Sequence, residues 1–544
     1  MSFEVKERDL LARIGKLRTK SGTVETPLLL PVVNPAVQPV HPRRIREEFG
    51  FEALITNAYI LKKRFKNEPA DKGLHKFLGF NGVVMTDSGA YQILVYGDVK
   101  ITPEEIVVYQ EQIDTDIATI LDWPTGWKAT RKHAEQTVEE TLRRARQLFQ
   151  IKTRDDILWV GPVQGGRYLD LVAKSASEMR ALPFQIYALG SPTEVMENYR
   201  FDVLVDMILT AKTNLPIERP LHLFGAGHPF MFALAVALGC DLFDSAAYAI
   251  YAKQDRYMTE TGTVRLEKLE YFPCHCPKCL SKTPKEVSEM PATERQTFLA
   301  EHNLYACLTE IKRIKQAIRE GRLWEHLELR AHGHPALLQA LRKLKKYEEF
   351  IEKHSPMVKP GGIFFFSSVG LPRPEVVRHR VRLSERFTPA GKILVLMPQT
   401  KTKPFHRSKL YKKLVKALLG MLGERETANI QVCFYEAPFG LVPIELDEVY
   451  PLSQHETVLP PDSEIVEYVA GQAVNHIGRG SYKAVVFLNN PEVWGEKVLE
   501  ACRKVCQEKG IIFKHFNVEM DWPNLIADFL KNLEKAEGGS VSAD

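Results

Sequence analysis

Eight short apolar runs, rich in β-branched residues, recur in the first half of the chain. Each ends on a polar residue or a glycine. They are Leu28–Val33 before Asn34, Ala53–Thr56 before Asn57, Val83–Thr86 before Asp87, and Ile117–Leu121 before Asp122. Leu158–Val160 then leads to Gln164, Phe184–Leu189 to Gly190, Leu221–Phe224 to Gly225, and Asp241–Phe243 to Asp244. Intervening stretches such as Pro103–Ile113 and Lys132–Phe149 carry apolar residues at helical spacing. Short buried strands alternating with helices predict a parallel sheet. Eight such units within about 250 residues predict a (β/α)8 TIM barrel. An open doubly wound sheet is the competing arrangement, disfavoured because no glycine-rich phosphate fingerprint follows the first strand.

Barrel enzymes present their chemistry at the C-terminal ends of the strands, where these polar residues fall. Asp87 and Asp244 then face one mouth from non-adjacent strands. The third strand is the most conspicuous, because it runs into Asp87-Ser88-Gly89-Ala90-Tyr91-Gln92. Gly89 there lets backbone come close to a ligand. Taken alone, this stretch reads more simply as a strand and a tight turn capped by Asp87. Its recurrence around a barrel favours a site.

After the eighth unit the texture changes. Cys274-His275-Cys276-Pro277-Lys278-Cys279 puts three thiols within six residues, which suits a tight loop around a soft cation. A helical pattern from Thr293 to Glu320 follows, with His302 on its apolar stripe. Cys274, Cys276, Cys279 and His302 make a closed Cys3His set, the pattern of a structural zinc site with one ion per chain. His275 and Cys307 compete for the fourth place. Pro335–Lys353 predicts a further helix, apolar on one side and lysine-rich on the other, and Ser355–Gly362 is the best linker.

Beyond the linker a smaller α/β (α+β) accessory domain is expected. Its strands lie near Ile363–Phe366, Ile393–Met397, Ile430–Tyr435 and Ala484–Leu488, with helices near Leu410–Leu422 and Val493–Lys509. The expected organisation is a catalytic domain over 1–354, with a zinc subdomain at about 270–320. An accessory domain over 360–535 and a disordered tail over 536–544 complete it.

A length of 544 residues exceeds one core and agrees with several domains. The net charge of +5 is too small at this length to argue nucleic-acid binding, so any RNA contact must come from local patches. Candidates are Lys253 and Arg256, the run Arg342-Lys343-Leu344-Lys345-Lys346, and Lys401–Lys416, where aromatics interleave with cations. The charged N-terminus lacks an apolar signal region, and no run is long enough to span a membrane. A cytoplasmic protein without membrane partners is expected. Cys240, Cys433, Cys502 and Cys506 read as reduced core or surface thiols.

Together these motifs resemble the tRNA-guanine transglycosylases. The resemblance rests on Asp87-Ser88-Gly89 with Tyr91-Gln92, on Phe243-Asp244-Ser245, and on the Cys-x-Cys-x-x-Cys loop with its helical His. The wording Phe243–Tyr248 through Asp255–Thr259 looks most like the archaeal, archaeosine-type enzymes. These exchange guanine at position 15 of the tRNA D-loop for 7-cyano-7-deazaguanine (preQ0). The resemblance implies Asp244 as nucleophile, forming a covalent Asp–ribose intermediate, and Asp87 as partner acid/base. It also implies Asp122 and Gln164 as readers of the base edge, Gly190 as a point of close backbone approach, and Tyr91 as the stacking ring beside Ser88. The family commonly has Phe where Tyr91 stands, and Gly or Ser where Ala90 stands. Implied partners are tRNA, the free base 7-cyano-7-deazaguanine or guanine, and a second copy of the chain as a homodimer. Archaeal members usually end in a β-rich PUA module, whereas the last sixty or so residues here read as helix, strand and helix. Either the chain works without that module or a separate PUA-containing protein supplies it. An anticodon-directed queuosine enzyme, a non-catalytic tRNA-binding paralogue and a sugar hydrolase are the alternative readings.

Overall fold

The structure, a computed structural model, describes residues 2–90 and 101–538, with side chains described up to Leu533. Contacts within the chain divide it into two compact units. One is Met1–Phe350 with His354–Pro356, and the other Ile351–Lys353 with Met357–Asp544.

The first unit opens with an antiparallel meander that the alternation did not single out: β1 (Phe3–Asp9), β2 (Ala12–Arg18) and β3 (Thr23–Thr26). The eight expected strands follow as β4 (Leu28–Val33), β5 (Ala53–Asn57), β6 (Val83–Asp87), β7 (Ile117–Thr119), β8 (Leu158–Val163), β9 (Ile186–Leu189), β10 (Leu221–Leu223) and β11 (Leu242–Ser245). They pair in parallel in chain order, and β11 closes on β4 to make the barrel.

Period two decides what fills this barrel. Leu28 and Leu30, Ala53 and Ile55, Val83 and Met85, Leu158 and Val160, and Ile186 and Ala188 all join one interior cluster. Phe3, Leu17 and Val24 of the meander join the same cluster, so the small sheet plugs the N-terminal end. Continuing each alternation by one step brings Asn57, Asp87, Gly190 and Asp244 to the lining of a cavity at the C-terminal end.

The plug is tied to the barrel by a buried ion pair. Arg13 on β2 donates through Nε and Nη2 to the two carboxylate oxygens of Asp241, at 2.9 and 2.6 Å. The same guanidinium donates to the carbonyls of Ile217 and Arg219, while Asp241 also accepts from the amide of Leu221. Neither side chain is more than 4% exposed, so removing one partner would strand the other's charge away from water.

The second unit holds a five-stranded sheet. Its strands are β15 (Ile393–Pro398), β16 (Ile430–Glu436), β17 (Gly440–Pro443), β19 (Ala484–Asn489) and β20 (Ile512–Asn517), in the order β17-β16-β15-β19-β20. All neighbours are parallel except β17, which turns back on β16. Ile363–Phe365 (β14), expected as a strand of this domain, pairs with His455–Thr457 (β18) in a separate two-stranded ladder. Two helices fall where no helix was expected, Pro374–Glu385 and Ser463–Arg479, and Trp522–Gly538 is the closing helix of the expected helix–strand–helix end. The last runs three residues into the stretch expected to be a disordered tail, and residues 539–544 lie outside the described residues. In the first unit, the helix expected over Pro335–Lys353 is broken by a 3₁₀ turn at Leu344–Tyr347. There Lys343, Lys346 and Tyr347 all meet the carboxylate of Asp206. No helix among the described residues is long and apolar enough to cross a membrane.

Asp241→Ala should lower barrel stability by about 3–5 kcal/mol, because it leaves Arg13 buried and unpaired. The double variant Arg13→Met, Asp241→Leu should recover much of that loss. Calorimetric unfolding of the three proteins checks both outcomes.

Candidate functional site

A cavity of about 900 Å³ opens at the C-terminal end of the barrel, with Asp87, Asp122, Gln164, Gly190 and Asp244 among its lining residues. Each carboxyl reaches it by a different route and carries a different set of partners.

Asp87 ends β6 in the inward phase set by Val83 and Met85. Its neighbour Asn57 ends β5 and pairs with it in register. The Asn57 carbonyl oxygen accepts from the amide of Ile60 at the start of a helix, which turns its NH2 group towards Asp87 Oδ2 at 2.8 Å. Backbone amides of Ser88 and Gly89 also donate to the Asp87 carboxyl. Burial, with the charges of Asp122 and Asp244 added, outweighs those donors and pushes Asp87 up to about 7. Ser88 takes the opposite phase: its side chain is fully buried and does not line the cavity. What Ser88 brings to the site is its backbone N–H, on the Asp87 carboxyl. Tyr91, the expected stacking ring, lies outside the described residues.

Asp122 would point outward if β7 simply continued. The strand stops at Thr119, and the amide of Asp122 donates back to the carbonyl of Ile120 at 3.0 Å, a tight turn that brings the carboxyl round. Gln164 Nε2 donates to Asp122 Oδ2 at 2.5 Å. Burial still carries Asp122 up to about 6, against the lowering effect of that bond. The Gln164 carbonyl is occupied by the amide of Thr125 at 2.9 Å and the hydroxyl of Ser191 at 3.0 Å. Gln164 Nε2 has a second hydrogen, for which no acceptor stands among the described residues, and Gln164 lines the cavity. Gly190 is required beside it, since a Cβ there would stand 2.2 Å from Gln164 Nε2.

Asp244 lies on β11, two residues beyond the inward Leu242. Its Oδ1 accepts from the Gly225 amide at 3.0 Å and lies 2.9 Å from Nε2 of His222. His222 is the inward residue of β10 and is fully buried. The sequence reading placed it in an apolar run and gave it no role. Its signal was an imidazole at an inward position one step below the strand end. Asn57 was read only as a strand terminus for the same reason.

A helix (Ala247–Lys253), a hairpin and a loop lead from β11 to the sulfur cluster. β12 (Arg256–Thr259) and β13 (Gly262–Arg265) form a hairpin, and the helix Ala292–Glu320 packs along it. The donor atoms of Cys274, Cys276, Cys279 and His302 all lie within 4.8 Å of one another. His302 Nε2 faces the carbonyl of Met258 at 2.9 Å, which directs Nδ1 to the sulfurs. Tyr257 stacks on the same ring at 3.6 Å between centroids. Three thiols and one imidazole, with an outer hydrogen bond already set, fit a tetrahedral metal ion. The competing ligands fall away: His275 is exposed and outside the group, and Cys307 turns to the carbonyl of Gly227. Glu301, next to His302, binds Lys278 of the loop and Arg44 at the start of the barrel, at 2.5 and 2.6 Å.

The basic patches divide. Arg256 lines the cavity, its guanidinium 5.0 Å over the ring of Tyr251, and Lys253 is exposed. Lys343 and Lys346 are committed to Asp206. In Lys401–Lys416 the interleaved aromatics are not available to stack bases. Phe405 is fully buried and stacks on Phe434 at 4.5 Å, and Tyr411 packs against the same core. Lys403 is half-buried, donates to the His455 carbonyl, and is pushed down by burial. Lys401, Arg407, Lys409, Lys412, Lys413 and Lys416 remain exposed.

Known proteins agree with this architecture. The sequence profile of the family described as queuine tRNA-ribosyltransferase matches residues 9–336, and a domain of unknown function matches residues 376–525. A tRNA-guanine(15) transglycosylase of Methanocaldococcus jannaschii is 45% identical over 84% of this chain and 68% of its own length. One from Pyrobaculum aerophilum is 46% identical over 84% and 90%, and one from Saccharolobus solfataricus 42% identical over 90% and 96%.

The raised Asp87 carboxyl has a consequence for stability. In the unfolded chain it titrates near its usual 3.8, and in the folded chain near 7, so protons favour the fold. That contribution is full below the unfolded value and is lost as pH rises through the folded one. Asp87→Asn should therefore raise the unfolding temperature at pH 8 and change it little at pH 4. Thermal melts across that range check the sign.

Proposed function

The chain belongs to the tRNA-guanine(15) transglycosylase family, and on that premise we propose that it exchanges guanine at position 15 of the tRNA D-loop for 7-cyano-7-deazaguanine through an Asp244–ribose ester. It is an enzyme, a pentosyltransferase acting on tRNA. The observation that carries the finer reading is that Asp87 and Asp244, from the third and eighth barrel strands, line one cavity with the Asp122–Gln164 pair.

Displacing a base from C1′ passes through an oxocarbenium-like transition state that one carboxylate can trap and a second carboxyl can serve with a proton. Asp244 is the trapping group. Asp87, titrating near neutral pH, gives a proton to the departing guanine and takes one from the incoming base. Asp122 accepts from the ring N–H and amine of a guanine-like base, and the remaining Gln164 amide hydrogen donates to its carbonyl. Gly190 keeps that amide in place, and Tyr91 supplies the stacked ring. Exchange rather than hydrolysis requires water to be kept out while the bases swap. The target base must first leave its stack. Exposed cations, Lys253 by the site and Lys401, Arg407, Lys409, Lys412, Lys413 and Lys416 in the second unit, are suited to the RNA backbone.

The Cys3His group is suited to zinc, held by Cys274, Cys276, Cys279 and His302. With four protein donors and no open position, the ion would clamp the loop and hairpin to the helix and take no part in the reaction.

Incubation of the protein with position-15-unmodified tRNA and labelled 7-cyano-7-deazaguanine should place label at nucleotide 15. No incorporation, or label at the anticodon, would overturn the reading. An enzyme–RNA adduct stable to denaturing gels should form in the wild type and vanish in Asp244→Ala. Metal analysis should return about one zinc per chain, and Cys279→Ala should lose it. A folded, metal-free wild type would remove the zinc assignment.

A further inference from the structure

We infer that His222 is a positioning residue that commits one oxygen of Asp244 to holding and leaves the other, Oδ2, to bond with the ribose. The inference rests on the reading of Asp244 as nucleophile and adds which atom acts and what restrains it. Oδ1 has two neighbours able to donate, the Gly225 amide at 3.0 Å and His222 Nε2 at 2.9 Å. A carboxylate oxygen only accepts, so the ring hydrogen sits on Nε2. His222 Nδ1 is buried and meets no hydrogen-bond partner among the described residues. The ring is fully buried, inside the barrel, with the Phe224 ring at 4.7 Å between centroids. A ring donating through Nε2 accounts for the contact to Asp244. The ring thus works as a fixed donor, since among the described residues no group faces Nδ1 to take a proton.

The chemistry follows from that placement. In the first step Asp244 Oδ2 bonds to C1′ as the C1′–N9 bond breaks; the electron pair goes to N9, which takes the Asp87 proton. Oδ1 becomes the carbonyl oxygen of the ester. In the second step N9 of the incoming base bonds to C1′ and passes its proton to Asp87. The C1′–Oδ2 bond breaks, and its electron pair returns to the Asp244 carboxylate. The two donors on Oδ1 stabilise that departing carboxylate, and they are set before the reaction starts. Both steps also gain from a carboxylate that cannot rotate.

His222→Phe keeps the ring bulk and removes the donor, and His222→Asn keeps an amide too short to reach Oδ1. Both should lower kcat roughly 100–1,000-fold, the scale for losing one preorganised donor, with KM for tRNA and free base unchanged. In single-turnover experiments both should slow adduct formation and adduct decay. His222→Gln, whose amide nitrogen can take the place of Nε2, should recover most of the rate. Calorimetry and metal content identify variants that fold. A folded Phe or Asn variant whose adduct forms and decays at wild-type rates would overturn the inference. Nitrogen-15 NMR of histidine-labelled wild type, assigned with His222→Gln, decides it without the Phe and Asn variants. A proton on Nε2 is expected, and its absence overturns the inference. Peptide mapping of the wild-type adduct separates the two levels. A site other than Asp244 sinks the functional reading, whereas Asp244 as the site with an indifferent His222 sinks this inference alone.

Discussion

Three carboxyl groups share the end of one closed barrel, and the rest of the site is arranged around the cost of holding them there. Each would prefer water, and each is near the charge of the others. The protein answers with a separate donor set for each. Asp87 has the Asn57 amide and two backbone N–H groups, Asp122 has Gln164, and Asp244 has Gly225 and His222. These sets are not equivalent. Burial still lifts Asp87 to about 7 and Asp122 to about 6, against the donors each of them has. A carboxyl raised towards neutral pH suits the proton carrier of the proposed exchange.

The same barrel has two ends under opposite demands. At the N-terminal end the meander β1–β3 seals the interior with Phe3, Leu17 and Val24, and the Arg13–Asp241 pair locks the seal. At the C-terminal end the interior opens into the cavity. A chain segment after β11 leaves the rim as a hairpin, then a cysteine loop, and returns as the helix carrying His302. Glu301 binds Lys278 in the loop and Arg44 in the helix Pro42–Glu47, so the cysteine loop and the rim are tied to one helix. The second unit is a separate problem in packing. Its cations project from a helix whose apolar face, with Leu414 and Leu418, enters a core of its own.

Much of this was legible along the chain. Strand existence was readable at all eight barrel positions because a buried parallel strand is a continuous apolar run with a polar stop. The Cys3His set was readable because thiols three residues apart have few other uses. The meander strands β1–β3 and the edge strand β17 were not, because their burial comes from residues distant in sequence. Phe405 and Tyr411 read as an RNA-stacking surface because they alternate with lysines. Burial against Phe434 and the second unit's core is a tertiary fact that local pattern does not carry.

By itself the sequence determined which residues could do chemistry and on which strand end each would stand, since period two and the strand stops are local properties. Tertiary structure decided what those residues became. Asp122 faces the cavity only because the chain turns after Thr119, and Ser88 leaves it because it holds the opposite phase to Asp87. His222 gained its place beside Asp244 only when β10 and β11 closed against each other in register. Hydrogen-bond partners and carboxyl ionisation depend on which groups share a buried space, and only the closed barrel brings strands distant in sequence into one.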